Sequence, residues 1–348
     1  MTDGRERGER AWRRTNMREV AELAEVAISS VSRVLSGHPD VSQEMRDRVL
    51  DAVAQLEYEP DFLAQSLRRG QTLSVGFVLA DVSNPLMAEI VLGAESELRG
   101  AGYSLLLMNS ESDPALDAAH VRFYQGRRVD GMILSLVSET DPRTLEVLRA
   151  ARVPLVVVDR ELASDIRASS VVNDHAAGMS DAVRHLIGLG HRRIALITGA
   201  LDTLPGRERM ESMKRVIAEA DGAVEGRYLP GSFSAEHGQA AAAELFAGTW
   251  KPSAIVCGGN QLLIGCLRVI QERDLEVGRD ISLVTCDDVA LSGLYRPPIA
   301  SISRDTVAIG RTAAELLLRR LAGSSEPERV VLPTTYTPRA SVAPPSAR

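Results

Sequence analysis

The chain is 348 residues long, with 45% apolar and 25% charged residues and a formal net charge of −7. That is enough apolar material for a sizeable core spread over two or three domains, which excludes a disordered tail or a fibre. No apolar run approaches the roughly 20 residues of a membrane helix, and the first fourteen residues alternate Arg with Glu, Asp and Gly, so neither a membrane partner nor a secretory signal is expected.

The placement expected is therefore cytoplasmic. The cations are almost all arginine, Lys214 and Lys251 being the only lysines. Residues 1 to 70 carry 11 Arg against 13 Asp plus Glu, so any reading of nucleic acid by this segment has to rest on geometry rather than on a basic surface. Cys257, Cys266 and Cys286 are odd in number without close pairing, and the six histidines lack the spacing of metal ligands. Buried thiols, no metal and no cofactor are the expectation.

Residues 17 to 36 place Val20, Ala21, Leu23, Ala24, Val26, Val31, Val34 and Leu35 at spacings that suit two short helices broken near Glu25 to Ala27. Small Ala21 and Ala24 let the two helices cross closely, with Val26, Val31 and Val34 filling the seam, which is a helix-turn-helix pattern. Asn16 can cap the first helix, and Glu19 can complete a capping box. A third helix from Ser42 carries Met45, Val49, Val53 and Leu56 on one face. Tyr58-Glu59-Pro60-Asp61 breaks the pattern, and the following stretch 62–69, capped by Asp61 and ended by Gly70, is too short to fold alone.

From Leu73 onward β-like apolar runs alternate with amphipathic helical segments. Strands are expected over 74–79, 104–108, 131–135, 155–158, 193–197, 254–257 and 281–285, and helices over 86–99, 176–189, 208–220, 261–273 and 309–321. About a dozen elements exceed one ordinary sheet. The fold class read is an α-helical helix-turn-helix head followed by an α/β body of two doubly wound parallel-sheet subdomains with a cleft between them. No Gly-x-Gly-x-x-Gly opens a helix after the first strand, Gly258-Gly259-Asn260 has the wrong spacing, and no Walker loop occurs. With no nucleophile–base pair standing out either, an enzyme is not expected.

Head, hinge and body together resemble the lactose-repressor/galactose-repressor (LacI/GalR) family of bacterial transcription regulators, from Met17 to about Ala340. In the head the resemblance rests on Val20-Ala21 and Val31-Ser32-Arg33-Val34-Leu35, and in the hinge on Tyr58-Glu59-Pro60 with Ala64 and Leu67. In the body it rests on Asn84-Pro85, Val129-Asp130-Gly131, Val158-Asp159-Arg160, Gly190-His191-Arg192-Arg193, Arg209, Asn260 and Asp287-Asp288. It implies a disordered extension over 1–15, a helix-turn-helix domain over 16–59 and a hinge helix over 60–71. An effector-binding and dimerisation domain over 72–340 and a tail over 341–348 would follow. The body would be periplasmic-binding-protein-like, with an N-subdomain over 72–171 and 305–332 and a C-subdomain over 172–304 and 333–340.

The functional residues follow from the same resemblance. The second helix would enter the major groove of operator DNA with Ile28, Ser29 and Arg33 at base edges, the arginine reaching guanine with two donors. Ser32 and Ser42 would bond phosphates, Gln65 would contact the minor-groove floor, and Leu67 would wedge between base steps. In the cleft, Asp159, Arg207, Phe233, Asn260 and Asp287 would hold a small-molecule effector, Arg207 as the guanidinium clamp. Two carboxylates, one Arg, one Asn and one aromatic fit a sugar better than a purine. A homodimeric, effector-controlled repressor, cytoplasmic and nucleoid-associated, is the function implied, with a cytosolic sugar-binding protein or a regulator with weakened DNA binding as the alternative. Three departures point to moderate DNA affinity: Glu25 and Ala27 stand where the family has Gly and Ser, and Asp61 where Asn is common. Gln261 in place of Asp, and Ser212-Met213 in place of a Gly-aromatic pair, bear on which effector is bound.

Overall fold

The computed structural model describes residues 15–58 and 70–346. The chain divides into two compact units at Thr72 and Leu73.

The first unit is three helices, α1 (Met17–Leu23), α2 (Ile28–Leu35) and α3 (Gln43–Gln55). Asn16 starts α1 by accepting bonds from the amides of Arg18 and Glu19, at 2.9 and 3.2 Å, while the Glu19 carboxylate takes the Asn16 amide at 3.1 Å. The reciprocal pair is a capping box, which satisfies donors the helix cannot satisfy itself. Glu25 bends the chain between the helices with φ of 54°, a left-handed backbone that costs a side chain about 1 kcal/mol. Val20, Ala21, Ala24, Val31, Val34, Val49, Ala52 and Tyr58 close the core, with Met45, Val53 and Leu56 packed against it. The hinge expected over 60–71 lies almost wholly outside the described residues.

The second unit holds two six-stranded sheets of the same order. In the first lobe the order is β11-β5-β4-β3-β1-β2, all parallel; in the second it is β12-β10-β9-β8-β6-β7, with β12 alone antiparallel. The strands of the first lobe are β1 (Ser74–Leu79), β2 (Ser104–Asn109), β3 (Gly131–Leu134), β4 (Leu155–Val158), β5 (Ala168–Asn173) and β11 (Arg329–Leu332). Those of the second are β6 (Arg193–Thr198), β7 (Glu225–Pro230), β8 (Ala254–Cys257), β9 (Ser282–Cys286), β10 (Ala300–Ser303) and β12 (Thr335–Thr337). The sheet faces are apolar on both sides, as a parallel sheet flanked by helices requires. Phe77, Ile133, Val156 and Val158 enter one core and Val78, Leu134, Leu155 and Val157 the other, alternating with the strand period.

Helices α4 (Pro85–Gly100), α5 (Pro114–Arg127), α6 (Pro142–Arg149) and α12 (Thr306–Leu321) cover the first sheet, and α7 (His175–Gly188), α8 (Leu204–Ala218), α9 (Ala235–Ala247) and α10 (Asn260–Glu272) the second, with a short α11 (Ala290–Leu294). The chain crosses between lobes three times: from β5 to α7, from β10 to α12, and from β11 to β12. Five strands not read in the sequence, β5, β7, β10, β11 and β12, complete the sheets. Sequences such as Ala-Ser-Ser-Val-Val-Asn and Ala-Ser-Ile-Ser are short, with Ser where an apolar run would be looked for.

The segment expected as a tail from residue 341 starts as part of the second lobe. Ser341 is fully buried and donates to Leu283 O at 2.6 Å, and Ala343 O lies 3.0 Å from Nε2 of the buried His191. All three cysteines are buried and free.

Two contacts fix the fold around the cleft between the lobes. Helices α4 and α12 meet at Gly93 and Gly310, where a Cβ on Gly310 would stand 1.8 Å from Ile90 O. Only glycine permits that approach, so Gly310→Ala is expected to lower stability by about 3 kcal/mol through overpacking, read as a lower urea midpoint. The second contact is Asp117, fully buried on α5, whose Oδ2 accepts the Val137 amide at 2.7 Å and so holds the loop after β3. Burial pushes its pKa up to about 6, and its Oδ1 has no partner. A carboxyl whose pKa is higher folded than unfolded loses stability as pH rises between about 4 and about 6. Asp117→Asn keeps the acceptor for Val137, so it is expected to flatten that slope in pH-dependent melts and to raise stability at pH 7.5 by up to about 3 kcal/mol.

Candidate functional site

Helix α2 has two unlike faces. At about 100° per residue, Val31 and Val34 fall opposite Ile28, Ser29, Ser32 and Arg33. Both valines are buried, whereas Ile28 is 44% exposed and Ser29 and Arg33 are exposed. Arg33 Nη2 lies 4.0 Å from Asp40 Oδ2, both side chains largely in solvent. Such a pair is worth little and leaves the guanidinium available. Ser42 Oγ accepts the Met45 amide at 3.3 Å as the N-cap of α3, which still leaves its hydroxyl proton to donate. Gln65 and Leu67 lie outside the described residues. Ala27, at the start of α2, makes no side-chain cap.

The second candidate site is the cleft between the lobes, a cavity of about 380 Å³. Its walls come from the carboxyl ends of strands in both sheets: Asp81 and Asn84 after β1, Ser135 and Ser138 after β3, Asp159 and Arg160 after β4. From the second lobe come Asp202 and Arg209 after β6, Phe233 after β7, Asn260 and Gln261 after β8, and Asp287 after β9, with Arg304 on the crossover after β10. A parallel sheet presents loops and helix starts at that end, where ligands of open α/β sheets bind. Asp159 and Asp287 occupy corresponding places in the two lobes, each one residue beyond its strand and each with positive φ, 48° and 73°. Aspartate tolerates that backbone better than most residues. Their amides bond Val171 O and Ile302 O, both at 2.8 Å.

Arg304 joins the two carboxylates. Its Nε donates to Asp287 Oδ1 at 2.7 Å and its Nη1 donates to Asp159 Oδ2. Asp159 Oδ1 also accepts the Asn173 amide at 2.9 Å and Asn173 Nδ2 at 2.7 Å. His175 Nε2 faces the same oxygen at 3.4 Å, and its Nδ1 lies 3.4 Å from Arg209 Nη2. Burial alone would raise the pKa of Asp159, but the Arg304 guanidinium, with His175 and Asn173, holds it well below the usual carboxylate range. Burial lowers the pKa of His175, with Arg209 working in the same direction, so the imidazole is neutral at pH 7.

Polar contacts also cross the mouth. Asn260 Nδ2 donates to Asn84 Oδ1 at 2.9 Å, Ser138 Oγ to Asp202 Oδ2 at 2.5 Å, and the Leu204 amide to Glu139 Oε1 at 2.5 Å. Phe233 stacks over Gly199, where a Cβ would stand 2.1 Å from the ring, and the Arg209 guanidinium lies 6.0 Å from the ring centroid.

Of the residues expected in the cleft, Asp159, Phe233, Asn260 and Asp287 come together. Arg207 does not. Its guanidinium pairs with Glu139 at 2.7 Å and with Glu161 at 3.8 Å, its side chain is 37% exposed, and it is absent from the lining. One hundred degrees per residue is the reason: two positions along α8 turn the side chain to the far face, and Arg209 takes the inward one. Asp159 differs as well, because its oxygens are spent on Asn173 and Arg304 rather than left for ligand hydroxyls. Arg160 entered the sequence reading only as part of the Val158-Asp159-Arg160 motif, without a role in the cleft, and His175, Asn173 and Arg304 went unnoticed. The only trace of Arg304 is its place beside Asp305, which caps α12 through the Ala308 amide at 2.8 Å.

No helix among the described residues is long and apolar enough to cross a membrane, and no cluster of His, Cys, Asp and Glu there has the make-up of a metal site. Residues 16–61 match the family model for bacterial regulatory proteins, lacI family, and residues 183–342 match a periplasmic binding protein-like domain. The chain is 30% identical to the ribose operon repressor of Haemophilus influenzae over 94% of this chain and 98% of that one. It is 30% identical to the HTH-type transcriptional repressor PurR of Haemophilus influenzae, over 89% and 92%. The crystal structure of the Lac repressor dimer bound to operator and the anti-inducer ONPF superposes with a TM-score of 0.84 at 27% identity, covering 95% of this chain and all of that one. A three-helix head ahead of a two-lobed body, matched along nearly its whole length by repressors, places this chain in the lacI family of bacterial regulatory proteins.

Proposed function

We propose that this protein is a cytoplasmic, sequence-specific transcriptional repressor that binds a near-palindromic operator as a homodimer and is controlled by a small hydroxylated effector, a sugar. The observation that carries the reading is the face of α2 opposite the buried valines, where Ile28, Ser29 and Arg33 are exposed and Ser32 is half-buried. A helix so presented is what a major groove admits, and a dimer reads two half-sites about one helical turn apart. Relatives at 30% identity are named as repressors, one of a ribose operon, which supports both the role and the effector class. Two copies are favoured by the edge strand β2, which exposes Leu106 and Leu107 at 40% and 48%, and by α4, which exposes Leu92. An apolar edge left bare invites aggregation, and a second copy covers it.

In this reading Arg33 donates to a guanine edge, while Ile28 and Ser29 contact neighbouring bases. Ser32 and Ser42 hold phosphates, Gln65 and Leu67 engage the minor groove, and Asp287, Asn260, Phe233 and Arg209 hold the effector. Selection from a random duplex library at low salt is expected to enrich a near-palindrome; no enrichment overturns the function. Arg33→Ala should cost about 1 to 3 kcal/mol at one base pair and relax preference there, read by mobility shift across operator variants. The cleft assignment is checked by thermal shift of the full chain against sugars and polyols, since a bound ligand raises apparent stability. Arg209→Gln is expected to abolish that shift while Arg207→Ala, outside the lining, keeps it; the reverse pattern would restore Arg207 as the clamp.

A further inference from the structure

Three arginines line the cleft among four aspartates, but only one of the three, Arg304, is in direct contact with any of those carboxylates. Arg160, Arg209 and Arg304 line it with buried side chains, against two buried aspartates, Asp159 and Asp287. Both aspartates are taken by Arg304. Arg160 is left donating to carbonyls, Leu136 O at 2.5 Å and Asp159 O at 2.7 Å, and Arg209 donates to Gly258 O at 2.6 Å. Among the described residues neither has a carboxylate within ion-pair distance. The other acids nearby contact other groups rather than these two arginines: Asp81 accepts from Ser83, Asp202 from Ser138, Asp117 from the Val137 amide, and Glu139 from the Leu204 amide and Arg207.

A guanidinium whose direct contacts are neutral carbonyls is incompletely compensated, and burial draws Arg160 below the ordinary arginine value against the pull of Asp159, Glu139 and Asp117. The hydrogen-bond inventory points the same way. One terminal nitrogen each of Arg160 and Arg304 has no acceptor among the described residues, yet neither is sealed inside the protein. On the acceptor side, Asp159 Oδ1 takes two bonds and its Oδ2 takes Arg304, while Asp287 keeps one oxygen. A ligand that fits such a floor brings several acceptor oxygens and a negative charge, plus a hydroxyl for Asp287.

Building on the reading of this cleft as the effector site, we propose that the effector is an anionic carbohydrate, its carboxylate or phosphate seated among Arg160, Arg209 and Arg304. Phe233 supplies the face for the sugar ring. The cavity volume admits a ligand of that size.

The test is calorimetric titration of the full-length chain with matched pairs: ribose and ribose 5-phosphate, galactose and galacturonate, glucose and gluconate. At least one charged member is expected to bind ten times or more tighter than its neutral partner. Whether acid or phosphate wins identifies the group. Arg304→Gln is expected to reduce that preference below threefold, and Arg160→Gln serves as the second variant, each checked for folding by circular dichroism. Equal or tighter binding of the neutral member in every pair that binds overturns the anion while leaving the sugar effector standing. Absence of binding by either member of all pairs at 10 mM overturns both, and so does a preference unmoved in both folded variants for the arginine assignment.

Discussion

The body depends on one guanidinium. Arg304 reaches Asp159 from the first lobe and Asp287 from the second, and no other side chain among the described residues joins those two carboxylates. Without it, two buried carboxylates would face one another across the cleft with their desolvation uncompensated, which costs several kcal/mol. With it, Asp159 is held ionised, and although burial lowers the pKa of Arg304, the neighbouring Asp287 and Asp159 raise it by more. The pair geometry therefore sets the charge state of Asp159 before any ligand arrives.

The place of Arg304 in the chain gives that interaction leverage. It lies on one of the three crossovers between lobes, directly after β10, and Asn173, the other partner of Asp159, ends β5 at the next crossover. Whatever changes the bonds of Arg304 acts on the segments that would bend if the lobes moved. Each sheet is packed on both faces, so a difference in closure between the lobes would be absorbed at the crossovers. A ligand shifts such an equilibrium only by binding one closure better than another. Contacts at Arg304 and at Asn84 with Asn260, which span the lobes, can supply that difference.

How far the residues alone disclosed this arrangement varies with the element. Helix starts such as Asn16 and Ser42, and apolar strands such as Leu155–Val158, announce themselves, because capping and burial act on neighbouring residues. Asp159 was legible as the residue just past such a strand, whereas Asp287 came only from the family resemblance. Arg304 was not, because its strand reads Ala-Ser-Ile-Ser and its partners lie 17 and 145 residues away. The choice between Arg207 and Arg209 turned on helical phase, which a start placed at residue 208 instead of Leu204 does not define. Asp117 shows the same limit: a lone acid on a helix gives no sign that it will be buried beneath a loop twenty residues later.

The head poses a different problem, one of charge. Among residues 15–58 only Arg18, Arg33, Arg46 and Arg48 are cationic, against eight Asp or Glu. A polyanion is not drawn to such a surface by its net charge, so a duplex is engaged only where the exposed face of α2 fits it. The cations that the head lacks are written on either side of it: Arg5, Arg7, Arg10, Arg13 and Arg14 before, Arg68 and Arg69 after. In the proposed reading, base recognition is assigned to α2 and Arg33, so it rests on shape and hydrogen bonding, and the flanks, whose seven arginines face five acids, add only a small net attraction for phosphates.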